Sequence, residues 1–395
     1  MAERVTHCHI RDIDLSPFGA DGLLLGLITL DNGEGPRRPN TLGPQGMANL
    51  HQAITELLHR ADQGELHAIA ITGKPMGFAA GADLHGAAAI TSDTDALAIA
   101  QAGHNAYRLL LDAPVPTFAF VGGAALGGGL ELAASCRYRT VMNTVRNLGL
   151  PEAALGLIPG WGGTFLIPGI IGIEAAVEVI LTNPLRNNRQ LDAAAATGIG
   201  LMDAMLDEDD FLGHSLRWAV EVLQGRIHPQ RPDPLPAPQW RAVLDQARRS
   251  VDARLHGAAP APYEALELLE LSARRDREAS FAAEDAALVR LLRSAEFKAS
   301  LYAFDLTTRR AKHPVGAPDV GKARPVAAVG IAGAGLMATQ LALLLARRMD
   351  VPVIMRDLDL ERAQRGLALV ASHVRQLLDR GQVDADEADR ITARI

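Results

Sequence analysis

A glycine-rich stretch that ends in a glutamate decides how this chain is interpreted. It reads Gly122-Gly123-Ala124-Ala125-Leu126-Gly127-Gly128-Gly129-Leu130-Glu131. It follows a predicted strand at residues 116–121 and continues as a predicted helix. Such small residues let a ligand approach the backbone closely, and free N–H groups at a helix start stabilise a developing negative charge. A tight turn that only packs closely is the alternative interpretation.

A second stretch of small residues pairs with the first. It reads Phe78-Ala79-Ala80-Gly81-Ala82-Asp83-Leu84 and follows a predicted strand at residues 68–72. A second glutamate, Glu152, lies within the largely apolar segment 150–164. Glu131 and Glu152 are both isolated among apolar and small neighbours, where an ionised carboxylate is costly without partners. One such glutamate is commonly a helix-end charge, but two beside glycine loops indicate a tuned acid/base pair.

The composition excludes several classes of protein. The 395 residues include 39 Lys and Arg against 46 Asp and Glu, a net charge of −7, which argues against a nucleic-acid groove or a polybasic membrane patch. With 48% hydrophobic and 22% charged residues, the chain is expected to build cores rather than remain disordered. Two cysteines, Cys8 and Cys136, exclude a disulfide scaffold, and the first residues lack the apolar run of a secretory signal. We therefore expect a cytoplasmic protein, without a metal site because no histidine shows ligand spacing.

Three regions of the chain differ in predicted secondary structure. Residues 1–188 mix short strand-type runs, at 23–30, 68–72 and 116–121, with helical stretches, which predicts an α/β domain. Residues 189–323 have almost no strand signal and predict a helical extension, with a proline-rich linker at 229–238 and one helix whose apolar residues recur at 288–302. Residues 324–395 read as strand, glycine loop, helix, strand and helix. The predicted architecture is therefore α/β with three parts.

One uncharged run requires separate attention. Residues 326–346 contain no charge over 21 positions, which is long enough to cross a bilayer. Gly330, Gly333 and Gly335 interrupt this run. A strand, a glycine turn and a buried helix explain the same residues, and we predict those instead of a transmembrane segment.

The last region carries a nucleotide-binding pattern. Gly333-Ala334-Gly335-Leu336-Met337-Ala338 follows a predicted strand and opens a helix, as in a G-x-G-x-x-A phosphate loop. Gly333, Gly335, Met337 and Ala338 are the candidate cofactor-binding residues of this loop. Asp357, 24 positions after Gly333, is placed to accept hydrogen bonds from a ribose and to favour NAD over NADP. A Rossmann-like turn without a cofactor is the alternative.

Three motifs together resemble the crotonase (enoyl-CoA hydratase/isomerase) superfamily. They are residues 78–84, residues 127–133 and residues 151–164. The resemblance implies a crotonase-type ββα spiral domain in which the backbone N–H groups of Ala82 and Gly128 hold a thioester oxygen. It also implies that Glu131 activates water and that Glu152 supplies a proton to the α carbon, although these two roles are exchangeable because such a pair titrates as a unit.

The resemblance extends to the substrate contacts and departs from the family at one point. It places Ala80 and Asp83 at the substrate and Arg38 at a phosphate of CoA, although a solvated loop arginine is the alternative for Arg38. Hydration itself needs no cofactor. Glu131 and Glu152 are 21 positions apart, one more than the family pattern. We expect a predicted edge strand and turn at residues 140–147 to absorb that residue.

The order of the parts resembles the α subunit of bacterial fatty-acid β-oxidation complexes. Residues 297–312 look like the bridge helix of that family, in which Asp305 matches an acidic contact to the second active site. The resemblance implies NAD as the cofactor of the full-length parent and a thiolase subunit, or self-association, as the partner. Since the chain reaches only 62 positions beyond Gly333, we expect an incomplete Rossmann domain without dehydrogenase activity.

Two functions remain in competition on the sequence alone. The first is hydration of 2-enoyl-CoA, with Δ3–Δ2 isomerisation as a further activity because proton shuttling needs only one carboxylate. The second is a non-catalytic assembly module that docks a thiolase subunit. The presence of both Glu131 and Glu152 favours the first, whereas a free-standing NAD-binding module is disfavoured by the small number of predicted strands.

Overall fold

The computed structural model describes residues 3–36, 38–83, 86, 90, 92–233, 235–311 and 314–395. The chain divides into two units, Met1–Lys312 and His313–Ile395. The helical region predicted for residues 189–323 is divided between them, since its part up to residue 312 belongs to the first unit together with the predicted α/β domain.

The described part of the first unit contains two sheets, and from β3 to β8 consecutive strands alternate between them. The larger sheet has the order β1-β2-β3-β5-β7-β9, in which β1 is antiparallel to β2 and the other pairs are parallel. The smaller is a parallel sheet of β4, β6 and β8. The strands are β1 His7–Asp14, β2 Leu24–Asp31, β3 Ala68–Gly73, β4 Met76–Ala79, β5 Thr117–Val121, β6 Gly123–Leu126, β7 Tyr138–Met142, β8 Leu148–Gly149 and β9 Ala204–Leu206.

Both faces of the larger sheet are buried. Ile69 and Ile71 of β3 contribute to one core, whereas Ala68 and Ala70 of the same strand contribute to the other. This alternation follows from the two-residue period of a strand. A strand buried on both faces reads as a continuous apolar run, which is why β2, β3 and β5 were recognisable in the sequence within a residue or two.

Helices cover the sheets and surround the site. The described helices of six or more residues in the first unit are α1 Pro44–Asp62, α2 Asp93–Leu111, α3 Gly128–Ser135, α4 Gly163–Val177, α5 Ala193–Gly198, α6 Phe211–Leu223, α7 Ala237–Leu255, α8 Ala261–Ser272, α9 Arg277–Leu292 and α10 Ala295–Asp305. Helix α6 covers one face of the larger sheet through Leu216 and Trp218. Helices α7, α8 and α9 pack on the other side, in the core that also contains α3 and α4. The proline-rich segment between α6 and α7 has no helix or strand in its described residues.

Two local predictions were wrong. The single helix expected at residues 288–302 is two helices, because Ser294 caps α10 by accepting a hydrogen bond from the N–H of Phe297 at 3.0 Å. Beyond Phe297 the expected apolar face is not buried, and Tyr302 is 58% exposed. The strand expected at an edge near Thr140 is β7, which pairs with β5 on one side and β9 on the other.

One apolar helical stretch is long enough to cross a membrane. It spans Gly163–Leu185, and 61% of its most apolar window is buried inside the protein. Buried core helices of folded proteins have the same length and composition, so the stretch is weak evidence for a membrane segment. The uncharged run at residues 326–346 instead forms a strand, a glycine loop and part of a helix, as predicted.

The second unit, described by itself, is a small parallel βαβ arrangement. Strands β10 Val329–Ala332 and β11 Val353–Arg356 pair in parallel through Val329 and Val353. Helix α11 Leu336–Arg348 connects them, and α12 Leu360–Asp379 and α13 Ala385–Ala393 follow. Short side chains such as Ala342, Val353 and Val370 form its core.

Candidate active site

The two glycine loops and the two glutamates line one small cavity. It encloses about 90 Å³, and its walls include Ala80, Gly81, Ala82, Gly127, Gly128, Glu131, Glu152 and Trp161. The strand ends of the smaller sheet bring these loops together, because β4 runs directly into the first loop and β6 into the second. The fold therefore juxtaposes the residues that the sequence singled out.

Glu131 is buried in the first turn of α3 and is held by backbone donors. The residue is 2% exposed. Its Oε1 accepts hydrogen bonds from the N–H of Trp161 at 2.9 Å and from that of Gly163 at 2.7 Å. Burial and the neighbouring charges of Glu152 and Glu284 raise the pKa of Glu131 well above its usual value, against the lowering effect of the two N–H donors. The carboxylate is thus fixed in place and poised to take up a proton.

Glu152 faces the same cavity from a short helical turn at Pro151–Leu155. Its Oε2 is buried and has no hydrogen-bond partner among the described residues, although the residue as a whole is half-buried. Burial raises the pKa of Glu152 to about 7. An unpartnered buried oxygen costs free energy, so this atom is suited to a proton and a bound substrate or water. Together the two glutamates form a pair in which burial and like charge favour one shared proton near neutral pH.

Two backbone N–H groups complete the cavity. The parallel bridge between Leu42 and Ala82 uses the carbonyl of Gly81 and the N–H of Asp83, which leaves the N–H of Ala82 directed away from it. Gly128 is the first residue of α3, where an N–H has no partner within the helix. Neither N–H donates to a backbone or side-chain group among the described residues. Both are therefore available to an oxyanion.

Aromatic side chains and one further helix form the remaining walls. The Trp161 ring lies against Gly128, where an added Cβ would approach it within 2.3 Å. Its indole N–H donates to the carbonyl of Ile99 at 3.0 Å, and its ring meets Tyr107 edge-on at 5.9 Å. Leu288 and Leu292 of α9 also line the cavity. The sequence indicated a buried face on this helix but not its place at the site, since nothing local links residue 288 to residue 128.

The predicted substrate-contact residues occupy different positions. Ala80 lines the cavity, and its N–H donates to the carbonyl of Asn40 at 2.7 Å. Asp83 directly follows Ala82 and is half-buried. Arg38 is exposed in the loop that leads to the buried Asn40, whose amide donates to the carbonyls of Leu30 and Phe78. Asp305 is the last residue of α10 and is not among the residues that line the cavity. It accepts a hydrogen bond from Arg310 at 2.9 Å.

The nucleotide-type loop of the second unit has its own local geometry. Gly333 has a φ of +110°, a conformation that favours glycine, and Gly335 precedes the first turn of α11 with Met337 and Ala338. Asp357, after β11, accepts hydrogen bonds from the N–H groups of Ala334 at 2.7 Å and Leu358 at 2.7 Å. These bonds keep the pKa of Asp357 below its usual value. The two loops that would enclose a nucleotide are thus tied together by the predicted acidic residue.

Sequence reasoning missed a buried ion cluster next to the site. His104, Glu284 and Asp285 form it, and Glu284 is fully buried. The only signal in the sequence is an acidic residue four positions before Leu288 on the apolar face of a helix. Among the described residues, no group of three or more His, Cys, Asp or Glu side chains is arranged to hold a metal ion.

Comparisons with known proteins identify both units. Residues 25–231, more than half of the chain, match the family model of enoyl-CoA hydratase/isomerase. Residues 328–395 match the model of the 3-hydroxyacyl-CoA dehydrogenase NAD binding domain. The fatty acid oxidation complex subunit alpha of Shewanella amazonensis is 30% identical over 364 residues, which cover 90% of this chain and 50% of that protein. The subunit alpha of Vibrio cholerae is 33% identical over 295 residues, covering 72% and 40%.

Solved structures support the same fold. The human mitochondrial delta3-delta2-enoyl-CoA isomerase has a TM-score of 0.54 at 18% identity, covering 78% of this chain and 99% of that one. An enoyl-CoA hydratase/isomerase from Pseudoalteromonas atlantica has a TM-score of 0.52 at 19% identity, covering 76% and 97%. The chain spans about half the length of the curated relatives it matches. The predicted α/β architecture and the predicted resemblance are confirmed, and the chain belongs to the enoyl-CoA hydratase/isomerase family.

Proposed function

We propose that the first unit hydrates 2-trans-enoyl-CoA to 3-hydroxyacyl-CoA in fatty-acid β-oxidation. The observation that carries this proposal is that Glu131, which is buried, and Glu152, whose Oε2 is buried, line one cavity with Ala82 and Gly128. The N–H groups of Ala82 and Gly128 have no acceptor among the described residues. A thioester has a carbonyl oxygen that becomes negative as water adds to the β carbon. The site supplies donors for that charge and two carboxyl groups for the accompanying proton transfers.

In this mechanism each glutamate has one role. Glu131, whose Oε1 is held by two N–H groups, takes a proton from water while the water oxygen bonds to the β carbon. Glu152 gives its proton to the α carbon, so the enolate collapses to the hydroxyacyl thioester. The pair then holds its one proton on Glu131 and must pass it back to Glu152 before the next turnover. An oxyanion-hole donor of this type contributes roughly 100- to 1,000-fold in rate.

The same residues support isomerisation as a second activity. Moving a double bond from the 3 to the 2 position needs one carboxyl group to shuttle a proton, together with the oxyanion donors. We assign this shuttle to Glu152, because its Oε2 is buried without a hydrogen-bond partner in the part of the chain that the structure describes. Hydration would then require both glutamates, whereas isomerisation would require one.

Further substrate contacts are proposed beside the cavity and in the loop at Asn40. We assign Ala80 and Asp83 to the substrate thioester region, next to Ala82, and Arg38 to a CoA phosphate because it is exposed beside the loop at Asn40. Asp305 stays a prediction for the second active site of the longer relatives. We also propose a cytoplasmic location, which fits the two free thiols, Cys8 and Cys136.

The second unit would hold NAD through its glycine loop. Gly333 and Gly335 allow close approach of a pyrophosphate to the start of α11, next to Met337 and Ala338, and Asp357 retains acceptor capacity for a ribose hydroxyl. Bound NAD would supply a hydride acceptor for a 3-hydroxyacyl thioester. The residues of the glycine loop and Asp357 would bind and orient the dinucleotide.

A direct assay tests the proposal. Hydration of crotonyl-CoA, and of a longer enoyl-CoA, removes the conjugated thioester absorbance. We expect the purified chain to hydrate at least one of them. If a folded sample hydrates neither, the proposal fails and a non-catalytic assembly module becomes the leading function. A pull-down with a thiolase subunit, the partner that the family resemblance implies, would then test that second candidate.

A further inference from the structure

A buried ion cluster lies directly behind the glutamate pair. Nε2 of His104, on α2, lies 2.9 Å from Oε2 of Glu284, and Nδ1 lies 2.7 Å from Oδ1 of Asp285. Glu284 and Asp285 belong to α9. The side chains of His104 and Glu284 are 1% and 0% exposed. Because carboxylates only accept hydrogen bonds, a histidine bonded to both of them must carry protons on both ring nitrogens.

Glu284 uses all of its acceptor capacity at this point. Besides His104, its oxygens accept from the N–H of Gly162 at 2.7 Å and from the N–H of Thr164 at 3.0 Å, as well as from the Thr164 hydroxyl. A buried carboxylate is costly unless its charge is paired and its lone pairs are satisfied. Four donors from two different elements therefore fix the position of this side chain.

The loop at residues 161–164 is shared between two carboxylates. The N–H groups of Trp161 and Gly163 donate to Glu131, whereas those of Gly162 and Thr164 donate to Glu284. Consecutive N–H groups thus point to opposite sides of the loop. Gly162 has a φ of +106°, which only glycine adopts readily, and this conformation allows the alternation. Loss of the hydrogen bonds to Glu284 would therefore also displace the N–H groups of Trp161 and Gly163 that hold Glu131.

The charges around Glu131 support the same connection. The titratable groups that influence it are Glu152, Glu284 and the phenol of Tyr107. The hydrogen bonds that His104 donates to both carboxylates raise its pKa to about 9, against the lowering effect of burial. The imidazolium therefore persists at neutral pH and offsets the charge of Glu284. The Phe281 ring, stacked on His104 at 4.2 Å, holds the cation in place.

We propose that Glu284, with His104 as its counter-ion, is a positioning residue for hydration, which fixes the loop at residues 161–164 and thereby the Glu131 carboxylate. The inference rests on the proposed role of Glu131 in activating water. It extends the functional machinery to α9, which lies outside the residues 25–231 that match the family model. The same helix contributes Leu288 and Leu292, at i+4 and i+8 from Glu284, to the cavity wall.

The test is Glu284→Gln, with Glu278→Gln as the matched control. Glu278 is on the same helix but exposed, where it pairs with Arg108. The amide of Glu284→Gln would direct an N–H₂ group at a backbone donor and disturb the loop. We expect kcat for hydration to fall on the order of 100-fold with KM nearly unchanged, as for a small misplacement of a catalytic group. The acid limb of the pH profile is where Glu131 becomes protonated and can no longer accept a proton from water. We expect this limb to move to lower pH, because removing the negative charge of Glu284 lowers the pKa of Glu131.

Further variants separate the possible failures. A loss of folded protein alone would lower kcat in proportion to the folded fraction and leave the pH profile in place, which would overturn the inference. If Glu284→Gln does not fold, Thr164→Val removes only the hydroxyl bond to Glu284, and we then expect a several-fold loss of kcat with the same KM. Unchanged kinetics in Thr164→Val would then overturn the inference.

Glu131→Gln, run in parallel, tests the proposed function separately. If this variant hydrates as fast as the native chain, the proposed role of Glu131 is wrong. If it is inactive while Glu284→Gln matches Glu278→Gln, only the positioning role is wrong.

Discussion

At the scale of single residues, Gly128 sets the tightest limit in the site. An added Cβ would lie 2.3 Å from Cε3 and 2.5 Å from Cζ3 of Trp161, closer than real contacts permit. We expect Gly128→Ala to displace either the ring or the N–H at the start of α3. Hydration should then fall roughly 100- to 1,000-fold, the cost of losing one oxyanion donor.

The matched control for this prediction is Gly198→Ala. An added Cβ there meets nothing within 4 Å, at the end of a helix that does not line the cavity. Steady-state kinetics on both variants, with circular dichroism to verify folding, gives the answer. If Gly128→Ala keeps the rate of the native chain, the N–H of Gly128 does not hold the thioester oxygen.

The glutamate pair predicts a pH dependence. Burial raises the pKa of Glu152 to about 7, so its proton is present below that pH and lost above it. Because the proposed mechanism needs that proton for the α carbon, we expect kcat/KM for hydration to decline as the pH rises through about 7. A pH–rate profile with one substrate checks the sign. If kcat/KM instead rises over the same range, Glu152 is not the acid that protonates the α carbon.

Some residues of the site can be recognised from their neighbours in the sequence, and others only from the packing of distant helices. The sequence singled out Glu131, Glu152 and the loops at Ala82 and Gly128 because each lies beside a run of small residues that is unusual in itself. His104 and Glu284 gave no comparable signal. They are 180 positions apart, and a glutamate within a helix usually faces solvent. Only the packing of α9 on α2 reveals that they are partners.

At the scale of elements, α9 depends on one buried aromatic ring. Phe281 is fully buried, stacks on His104 and meets Phe165 of α4 edge-on at 6.0 Å. We expect Phe281→Ala to lower the free energy of unfolding by about 3–5 kcal/mol, the usual cost of deleting a buried phenylalanine ring. Urea denaturation followed by tryptophan fluorescence measures this change.

An exposed phenylalanine provides the control for α9. Phe304, on α10, is 42% exposed, and we expect Phe304→Ala to change the free energy of unfolding by no more than about 0.5 kcal/mol. Equal effects of the two substitutions would show that Phe281 does not anchor α9 against α2 and α4.

Elements were predictable to the extent that one local pattern defines them. Strands β2, β3 and β5 were found because burial on both faces makes them continuous apolar runs. The break between α9 and α10 was missed because the apolar residues keep helical spacing across it. The hydroxyl of Ser294, which caps α10, leaves that spacing unchanged. The pairing of β7 on both sides was missed because its partner β9 lies more than 60 positions later.

At the scale of the whole molecule, the two units differ in the size of their cores. The second unit has a small core of mainly alanine and valine side chains, and Leu336, Met337 and Leu358 are more than 60% exposed. A small core buries little apolar surface and is marginally stable. We expect the second unit to unfold at a lower denaturant concentration than the first.

Two optical probes distinguish the units. The three tryptophans of the chain, Trp161, Trp218 and Trp240, all belong to the first unit, whereas helices of both units contribute to far-ultraviolet circular dichroism. We expect an early loss of ellipticity without a change in tryptophan fluorescence. Coincident transitions by the two probes would indicate that the chain unfolds as one cooperative body.

The central claim is that Glu131 and Glu152 act together in hydration, and one comparison tests it most directly. Loss of the enoyl-thioester absorbance is measured for the native chain, Glu131→Gln, Glu152→Gln and the exposed control Glu174→Gln. We predict that each of the first two substitutions lowers kcat roughly 100- to 10,000-fold, with the control unchanged. Hydration within a few-fold of the native rate in either Glu131→Gln or Glu152→Gln, in folded protein, would contradict the account.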